Sequence, residues 1–250
     1  MSFKLYTRPG FVSPEATGHY RLRLAEEEET VRKAQRLRFE VFNLEMNEGL
    51  AASLDRGLDQ DEFDPVCDHL VVETVDTGIV IGTYRLQTGA SARQHNGYYS
   101  EREFDFAPFE DYRDQILELG RACVAREHRS LPVLSLLFRG IAQYARLNQS
   151  LYMLGCSSVT TRDPAQGAAL YRSLPSKTLA PRHLRTEPLA GLRCEPGDGS
   201  TKPPRIPRLM QTYLLLGAKV CGPPALDLEF GTVDFLTLMD VREIPPRYRH

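Results

Sequence analysis

Hydrophobic and polar residues follow two different periods near the start of the chain. Residues 19–25, HYRLRLA, alternate one by one between polar and apolar side chains, and this period predicts a half-buried β-strand. Residues 26–46 change to a helical period and begin with acidic side chains, which complement the dipole of a helix at its first turn. The apolar positions of this predicted helix are Val31, Ala34, Leu37, Val41 and Leu44.

The middle of the chain continues with strands before it returns to helical spacing. Residues 69–76 and 78–89 predict two strands. The Asp76-Thr77-Gly78 sequence between them is a strong hairpin signal. Residues 116–124 are rich in branched apolar side chains and predict a further strand, and residues 132–145 are apolar at helical spacing.

The last part of the chain predicts two more strands and two more helices. Residues 150–159 and 231–241 predict strands, the second of which closes the fold. Asp163 followed by Pro164 is typical of a helix N-cap and first turn. A short amphipathic helix is expected in residues 204–220, ending at Gly217. Either it covers the core or it lines a tunnel or touches a membrane, and the sequence favours the first.

The order of these elements predicts an α/β fold with a mixed central sheet flanked by helices. We expect an irregular leader over residues 1–17 and one domain over residues 18–250. Two segments lack a clear period: residues 90–115, which are expected to be irregular, and the Pro- and Gly-rich residues 175–207. The second is expected to be a loop insertion into the domain.

Composition excludes several classes of protein. The chain has 250 residues and a net charge of −2, which gives no overall attraction to nucleic acid or to an anionic membrane. Five widely spaced cysteines form no CxxC pair, and six histidines show no clustered spacing, so neither a disulfide framework nor a metal site is predicted. Without an apolar signal region or a membrane-length apolar run, a cytoplasmic location is expected, with contact at the inner face of the membrane left open.

A basic turn joins the predicted strand at 116–124 to the following helix. The free N–H groups and the dipole at a helix start favour an anion at such a turn. Residues 126–131, REHRSL, therefore predict an anion site, with Pro132 suited to the first helical turn.

Several segments, taken in this order and spacing, resemble the GNAT superfamily of acyltransferases. Within it the chain is most similar to the branch that takes long acyl groups from acyl carrier protein, which includes ornithine-lipid N-acyltransferases, N-acyl amino acid synthases and acyl-homoserine-lactone synthases. The segments are RFEVF (38–42), DEFDPVCDHLVV (61–72), GTYRL (82–86), ELGRACV (118–124) and the tail GAKVCGPPALDLEFGTVDFLTL (217–238). The tail is most similar to the ornithine-lipid enzymes and their hemolysin-like relatives.

The resemblance implies a GNAT-like fold and transfer of a long acyl chain, with or without a 3-hydroxyl group, to the amine of an amino acid such as ornithine. The donor would be a phosphopantetheine thioester, with no tightly bound cofactor. The basic turn lacks the glycines of enzymes that use acetyl-CoA. This departure favours acyl carrier protein as the donor and partner, with acyl-CoA as the alternative.

The resemblance also assigns roles to acidic and basic residues. Glu118 would be the general base that takes the amine proton, whereas its alternative is a structural ion pair with Arg121 or Arg85. Asp61 and Asp64 would bind and orient the amine, whereas most acidic runs of this kind are solvated loops. Arg38, Arg85 and Arg121 are the candidate substrate-binding residues. Arg38 and Arg85 would hold these carboxylates or, less in keeping with the sequence, the carboxylate of the acceptor.

The basic turn would hold the phosphate of phosphopantetheine. The residues implied there are Arg126, His128, Arg129 and Ser130. Tyr171 occupies the position of a tyrosine that protonates the leaving thiolate in acetyltransferases, although a tyrosine on an apolar helix face is more often a core residue. No nucleophile motif such as GxSxG is present, so direct attack of the amine on the thioester is the simpler mechanism.

Two other functions remain open from the sequence. One is an acyl-homoserine-lactone synthase, which the tail disfavours, and the other is a non-catalytic protein that binds acyl carrier protein or lipid. A carrier protein is strongly acidic, so we also expect a basic docking patch whose binding weakens as salt rises. Its candidate residues are Arg126, Arg129, Arg139 and Arg146.

Overall fold

The computed structural model describes residue 11, residues 16–197 and residues 199–244. Most of the predicted leader therefore lies outside the described residues. The described strands are Tyr20–Leu24 (β1), Asp68–Thr74 (β2), Val80–Thr88 (β3), Ile116–Val124 (β4), Tyr152–Val159 (β5), Lys219–Val220 (β6), Ala225–Asp227 (β7) and Thr232–Asp240 (β8). The described α-helices are Glu28–Phe39 (α1), Ser53–Arg56 (α2), Gly89–Gln94 (α3), Leu131–Leu147 (α4), Pro164–Ser173 (α5) and Arg208–Leu215 (α6).

The strands form one mixed sheet, as the sequence predicts. Its order is β1-β2-β3-β4-β5-β8-β6, and β7 pairs with β8 outside this path. Among the described strand pairs, β4–β5 is parallel and the others are antiparallel. The predicted hairpin is confirmed between β2 and β3, where Gly78 adopts a φ of 66° that suits glycine.

Helices cover both faces of the sheet because the strand residues alternate in direction. Leu70 and Val72 of β2 pack in the cluster that contains the apolar side of α4. Val71, between them, packs with Val31 and Leu37 of α1 on the opposite face. α1 continues as a π-helical segment, Glu40–Glu45, so the predicted helix at 26–46 is confirmed with a change of winding at Glu40.

The two segments without a clear period contain more structure than the sequence predicts. Residues 90–115 are not irregular, since they include most of α3 and two 3-10 helices, Tyr99–Arg102 and Ala107–Gln115. Residues 175–207 have two short 3-10 turns and run beside β6, where Ala180 N donates to Val220 O. Whether this segment is an insertion stays a prediction. Among the described helices, none is both long and apolar enough to cross a bilayer.

Candidate active site

A gap opens in the middle of the sheet where β4 and β5 separate. Within the described residues, their parallel pairing runs from Ile116 with Tyr152 to Glu118 with Leu154 and goes no further. At the point of separation Gly155 lies so close to β4 that a Cβ atom there would be 2.2 Å from the carbonyl oxygen of Leu119. The backbone of β4 beyond this point is therefore available to an extended ligand.

A β-bulge lies in β4 beside this gap. Thr83 of β3 pairs with Cys123, but Arg85 pairs with Gly120, so β4 contains one extra residue. Arg121 absorbs the bulge with a φ of 49°, which is uncommon for a residue with a side chain. The bulge directs the side chain of Arg121 into a buried charge network and keeps Gly120 at the cavity wall.

Glu118 is buried at the start of the gap and accepts hydrogen bonds from the 3-10 helix Tyr99–Arg102. The backbone N–H groups of Tyr99 and Ser100 donate to its two carboxylate oxygens at 2.8 Å each, and the Ser100 hydroxyl donates as well. Burial raises the pKa of Glu118 above its ordinary value, although these hydrogen bonds partly oppose the rise. The result is a fixed carboxylate that is more basic than a solvated one.

Alternating charges link α1 to the cavity wall. Arg38 is fully buried and pairs with Asp59 and Asp64, and Asp64 also pairs with Arg85 at 3.1 Å. Asp61 then joins Arg85 to the next arginine, Arg121, at 2.9 Å from Arg121 Nη2.

The charges in this network set the pKa values of its two central aspartates. Burial alone would raise the pKa of Asp61, but Arg85 and Arg121 outweigh it and lower the pKa to about 2. The pKa of Asp64 is also lowered, because Arg38 and Arg85 outweigh its burial. Both carboxylates are therefore ionised and paired at neutral pH, which leaves neither of them able to accept a proton from a substrate.

A cavity of about 910 Å³ occupies the gap and extends under α4 and α6. Its volume is near the upper end of the roughly 300–1,000 Å³ that is typical of ligand pockets. One end is polar and the remainder is largely apolar. The polar lining residues include Arg85, Tyr99, Ser100, Glu118, Arg121, Asp227 and Asp234. The apolar lining residues include Leu134, Leu137, Phe138, Ile141, Leu209, Met210, Tyr213, Leu216 and Met239.

The structure brings together only part of the set of residues predicted from the sequence. The predicted residues that line the cavity are Glu118, Arg85, Arg121, Arg129 and Ser130. Those outside its lining are Arg38, Asp61, Asp64, Arg126, His128 and Tyr171.

The predicted amine-binding role of the two aspartates meets a geometric obstacle. Both oxygens of Asp64 are occupied, by Arg38, Arg85 and Gln35, and its side chain is fully buried. Direct contact between Asp64 and a substrate in the cavity is therefore excluded by its burial, and its contacts instead fix Arg85. Internal ion pairing is likewise the observed state of Arg38, whose side chain does not reach the cavity.

The basic turn has a different arrangement from the one predicted. The Arg129 guanidinium forms two hydrogen bonds with Glu45, at 2.6 and 2.7 Å, and a third with Val124 O. His128 Nδ1 lies 3.0 Å from the hydroxyl of Tyr20. Ser130 is the N-cap of α4 but makes no side-chain hydrogen bond to the first turn. The start of α4 therefore borders the cavity with backbone N–H groups rather than with a cluster of free arginines.

Tyr171 lies on α5, away from the cavity lining. It packs against the cluster that contains Val159 and Phe235. Its position does not support the predicted role as a general acid, because a thiolate beside Glu118 would not meet it. Tyr84 of β3 and Tyr213 of α6 do line the cavity, and their hydroxyl groups are hydrogen-bonded to each other.

Several residues at the polar end were not predicted from the sequence. Tyr99 and Ser100, which hold Glu118, come from a segment without a period, so no pattern marked them. Asp59 is a partner of Arg38 and lies 3.3 Å from Arg121 Nε. Asp227 was within the tail segment that carries the resemblance, but nothing in the sequence placed it beside Tyr99, whose hydroxyl donates to it at 3.2 Å.

The amino-acid sequence matches a known protein family and several characterised relatives. Residues 37–139 match a family model described as an acetyltransferase (GNAT) domain. The chain is 30% identical over 241 residues to an L-ornithine N(alpha)-acyltransferase of Rhodobacter capsulatus, covering 92% of this chain and 93% of the relative. It is 33% identical over 250 residues to an L-ornithine N(alpha)-acyltransferase of Brucella abortus, covering 92% and 88%.

Solved structures share the fold at low sequence identity. FeeM, an N-acyl amino acid synthase from uncultured soil microbes, superposes with a TM-score of 0.54 at 12% identity, over 90% of this chain and 92% of that protein. The acyl-homoserine-lactone synthase LasI superposes with a TM-score of 0.52 at 13% identity, over 89% and 90%. Together with the family match at residues 37–139, these similarities confirm the predicted α/β fold of the GNAT type.

Proposed function

The chain belongs to the family of L-ornithine N(alpha)-acyltransferases, and on that premise we propose that it transfers a long fatty acyl group from a phosphopantetheine thioester to the α-amine of ornithine. The observation that carries the proposal is the position of Glu118. This buried carboxylate stands at the wall of a cavity that is polar beside it and apolar beyond it. A charged amino acid and an acyl chain would fit these two ends.

The acyl donor would enter the gap between β4 and β5. Phosphopantetheine is an extended arm with two amide groups, and unpaired strand backbone is a suitable partner for amides. The backbone N–H groups at the start of α4 would meet its phosphate. The Arg129 guanidinium would not bind the phosphate directly, because it is already paired with Glu45. The acyl chain would then lie among Leu137, Ile141 and Met210.

The chemical step would be direct aminolysis of the thioester. The neutral α-amine attacks the carbonyl carbon, so that a C–N bond forms and the C–S bond then breaks. Glu118 accepts the proton that the amine loses, and the released thiolate takes up one proton to become a thiol. The products are N-acyl-ornithine and the free pantetheine thiol, and no covalent acyl-enzyme is formed.

The acceptor's carboxylate would be held near the arginines of the cavity wall. Arg121 and Arg85 both line the cavity and both already pair with Asp61. The guanidinium of Arg121 also lies over the rings of Tyr99 and Phe230, at 4.8 and 4.7 Å from their centroids. This arrangement fixes two cations in the lining of the cavity that Glu118 also lines, where they would attract the carboxylate of an amino acid.

We propose acyl carrier protein as the partner that delivers the donor. Arg126, Arg139 and Arg146 would form its docking patch, since each is at least partly exposed and none forms an ion pair within the described part of the chain. We exclude Arg129 from the proposed patch, because its charge is compensated by the ion pair with Glu45. Binding of an acidic carrier at this patch should weaken as salt screens the charges.

A thiol-release assay tests the function and the donor together. Palmitoyl and 3-hydroxypalmitoyl groups are offered on carrier protein and on CoA, with ornithine, other amino acids or S-adenosylmethionine as acceptors. The expected result is ornithine-dependent thiol release from carrier protein that declines with salt, with N-acyl-ornithine identified by mass spectrometry. If the protein binds the donor but releases no thiol with any amine, the proposed enzymatic activity is refuted. If thiol release from acyl-CoA equals that from acyl carrier protein and neither depends on salt, the proposed docking patch is refuted.

A further inference from the structure

A second group of acidic side chains lies on the wall of the same cavity. Asp227 of β7 and Asp234 of β8 line the cavity together with Glu118. Glu103 lies next to them. One carboxylate oxygen of Glu103, the Cys156 sulfur and one oxygen of Asp234 all lie within 4.8 Å of one another. We refer to Glu103, Asp227 and Asp234 as the acidic cluster.

The acidic cluster lacks a compensating cation. Among the described residues, no lysine, arginine or histidine forms an ion pair with any of its three carboxylates. Glu103 is only 4% exposed, and its Oε1 atom is buried without a hydrogen-bond partner. Arg121 acts on the cluster electrostatically, but its ion pairs are with Asp59 and Asp61 and not with the cluster. A buried carboxylate oxygen without a donor is costly, so its surroundings favour an added cation.

The pKa values of Asp234 and Glu103 agree with this charge deficit. Burial and the neighbouring Asp227 raise the pKa of Asp234 to about 7. Burial and the two aspartates also raise the pKa of Glu103 well above its ordinary value. A bound cation would replace the protons that these groups otherwise retain.

The acidic cluster is within the reach of a small diamine from Glu118. Ser100 joins the two places, because its hydroxyl donates to Glu118 and lies 3.7 Å from the Cys156 sulfur. That sulfur lies 3.8 Å from Glu103 Oε2. The two amines of ornithine are roughly 6 Å apart when its side chain is extended, as follows from standard bond lengths.

Resting on the proposed function, we propose that the acidic cluster binds the δ-ammonium group of the acceptor while the α-amine faces Glu118. The cluster then determines which amine reacts. Among its carboxylates the δ-amine keeps its proton and stays non-nucleophilic, whereas the α-amine loses its proton to a single base. The cluster also selects dibasic over neutral amino acids, because a neutral side chain would leave buried carboxylates without a cationic partner.

The test compares L-ornithine with L-norvaline, which has the same carbon skeleton without the δ-amine. The variants are Asp234→Asn and Glu103→Gln, and the control is Asp114→Asn, an exposed carboxylate paired with Arg93. We expect the ornithine-to-norvaline ratio of kcat/KM to fall about 10- to 100-fold in both variants through KM, as for loss of a charged hydrogen bond. The control should retain the wild-type ratio.

The ratio does not depend on the amount of folded enzyme, so partial misfolding of a variant cannot imitate the effect. An unchanged ratio in both variants, or equal losses with both substrates, overturns the proposal. Chelation of wild-type enzyme by EDTA that lowers ornithine turnover, with no such effect on Asp234→Asn, would assign the cluster to a metal ion and would also overturn it.

Failure of the proposed function would be visible separately. In that case wild-type enzyme would release no thiol with ornithine. Calorimetric titration with ornithine and norvaline, without donor, then decides the inference alone. Tighter binding of ornithine than of norvaline by wild type but not by Asp234→Asn supports the cluster, and equal binding of the two amino acids overturns it.

Discussion

Arg38 and Asp64 form a buried, bidentate ion pair, with Nη1–Oδ1 and Nη2–Oδ2 distances of 2.9 and 2.8 Å. Asp64 in turn holds Arg85, which lines the cavity. Arg38 therefore acts on the site through a chain of contacts. It is a positioning residue, and its first effect should be on stability.

Replacement of Arg38 by methionine should lower the free energy of unfolding by about 3–5 kcal/mol, because it leaves buried aspartates unpaired. Urea denaturation measures this loss. Arg32→Met is the matched control, since Arg32 forms an exposed pair with Glu28 and its loss should cost at most about 1 kcal/mol. Equal losses in the two variants would contradict the account of the buried network.

Glu118→Gln should lower kcat by about 100-fold or more while the protein still folds, because the amide keeps the size of the side chain but cannot accept the proton. Its thermal midpoint should be lower than that of wild type, since the amide nitrogen cannot accept from one of the two backbone N–H groups that donate to Glu118. Since burial raises the pKa of Glu118, wild-type kcat/KM should fall as pH drops through that raised value, and the variant should lack this step. Asp114→Asn serves as the control. Turnover by Glu118→Gln equal to that of wild type would remove Glu118 from the mechanism.

Two glycines that flank the gap should respond differently to the same substitution. Gly155→Ala places a methyl group against the Leu119 carbonyl oxygen, so we expect it to lower the free energy of unfolding by about 1–3 kcal/mol or more. Gly120→Ala meets no atom within 4 Å and should keep stability while it weakens donor binding at the cavity wall. Denaturation curves and donor KM values for both variants test this contrast, and a stability loss in Gly120→Ala equal to that in Gly155→Ala would contradict it.

Much of the fold follows from local sequence patterns. Alternation predicts β1, and the hairpin signal at Asp76-Thr77-Gly78 predicts β2 and β3. Helical spacing predicts α1 and α4, and the Asp163-Pro164 pair marks the start of α5, where Asp163 accepts from Ala165 N. The two short strands β6 and β7 were missed, because two or three residues have no detectable period. Their place is set by pairing with β8, which is a long-range contact.

The site follows from the sequence less completely than the fold. The resemblance identifies Glu118, Arg85 and Arg121, which line the cavity. It does not show that Asp64 is enclosed by its ion pair with Arg38, because that depends on how Arg38 packs in the folded protein. Ser100 was missed because its role depends on its meeting a strand 18 residues away in the chain. Contacts of this kind depend on the assembled sheet and leave no periodic signal.

The preference for ornithine should itself depend on pH. Asp234 is protonated below its pKa of about 7, so its attraction for an ammonium group is lost as pH falls and gained as pH rises. The groups that act on Asp234 or on Glu103 beside it are Asp227, Arg121, Glu118, Ser158 and Thr232. The ornithine-to-norvaline ratio of kcat/KM, measured from about pH 6 to about pH 8, should rise with pH in wild type and much less in Asp234→Asn. A ratio that is constant over this range in wild type would contradict the role given to Asp234.

The most direct measurement is the position of the acyl group in the product. Wild-type enzyme is incubated with palmitoyl carrier protein and L-ornithine, and the product is fragmented by tandem mass spectrometry. The account predicts acylation at the α-nitrogen, because Glu118 deprotonates that amine while the acidic cluster keeps the δ-amine charged. A product acylated at the δ-nitrogen, or the absence of any acyl-ornithine, would contradict it.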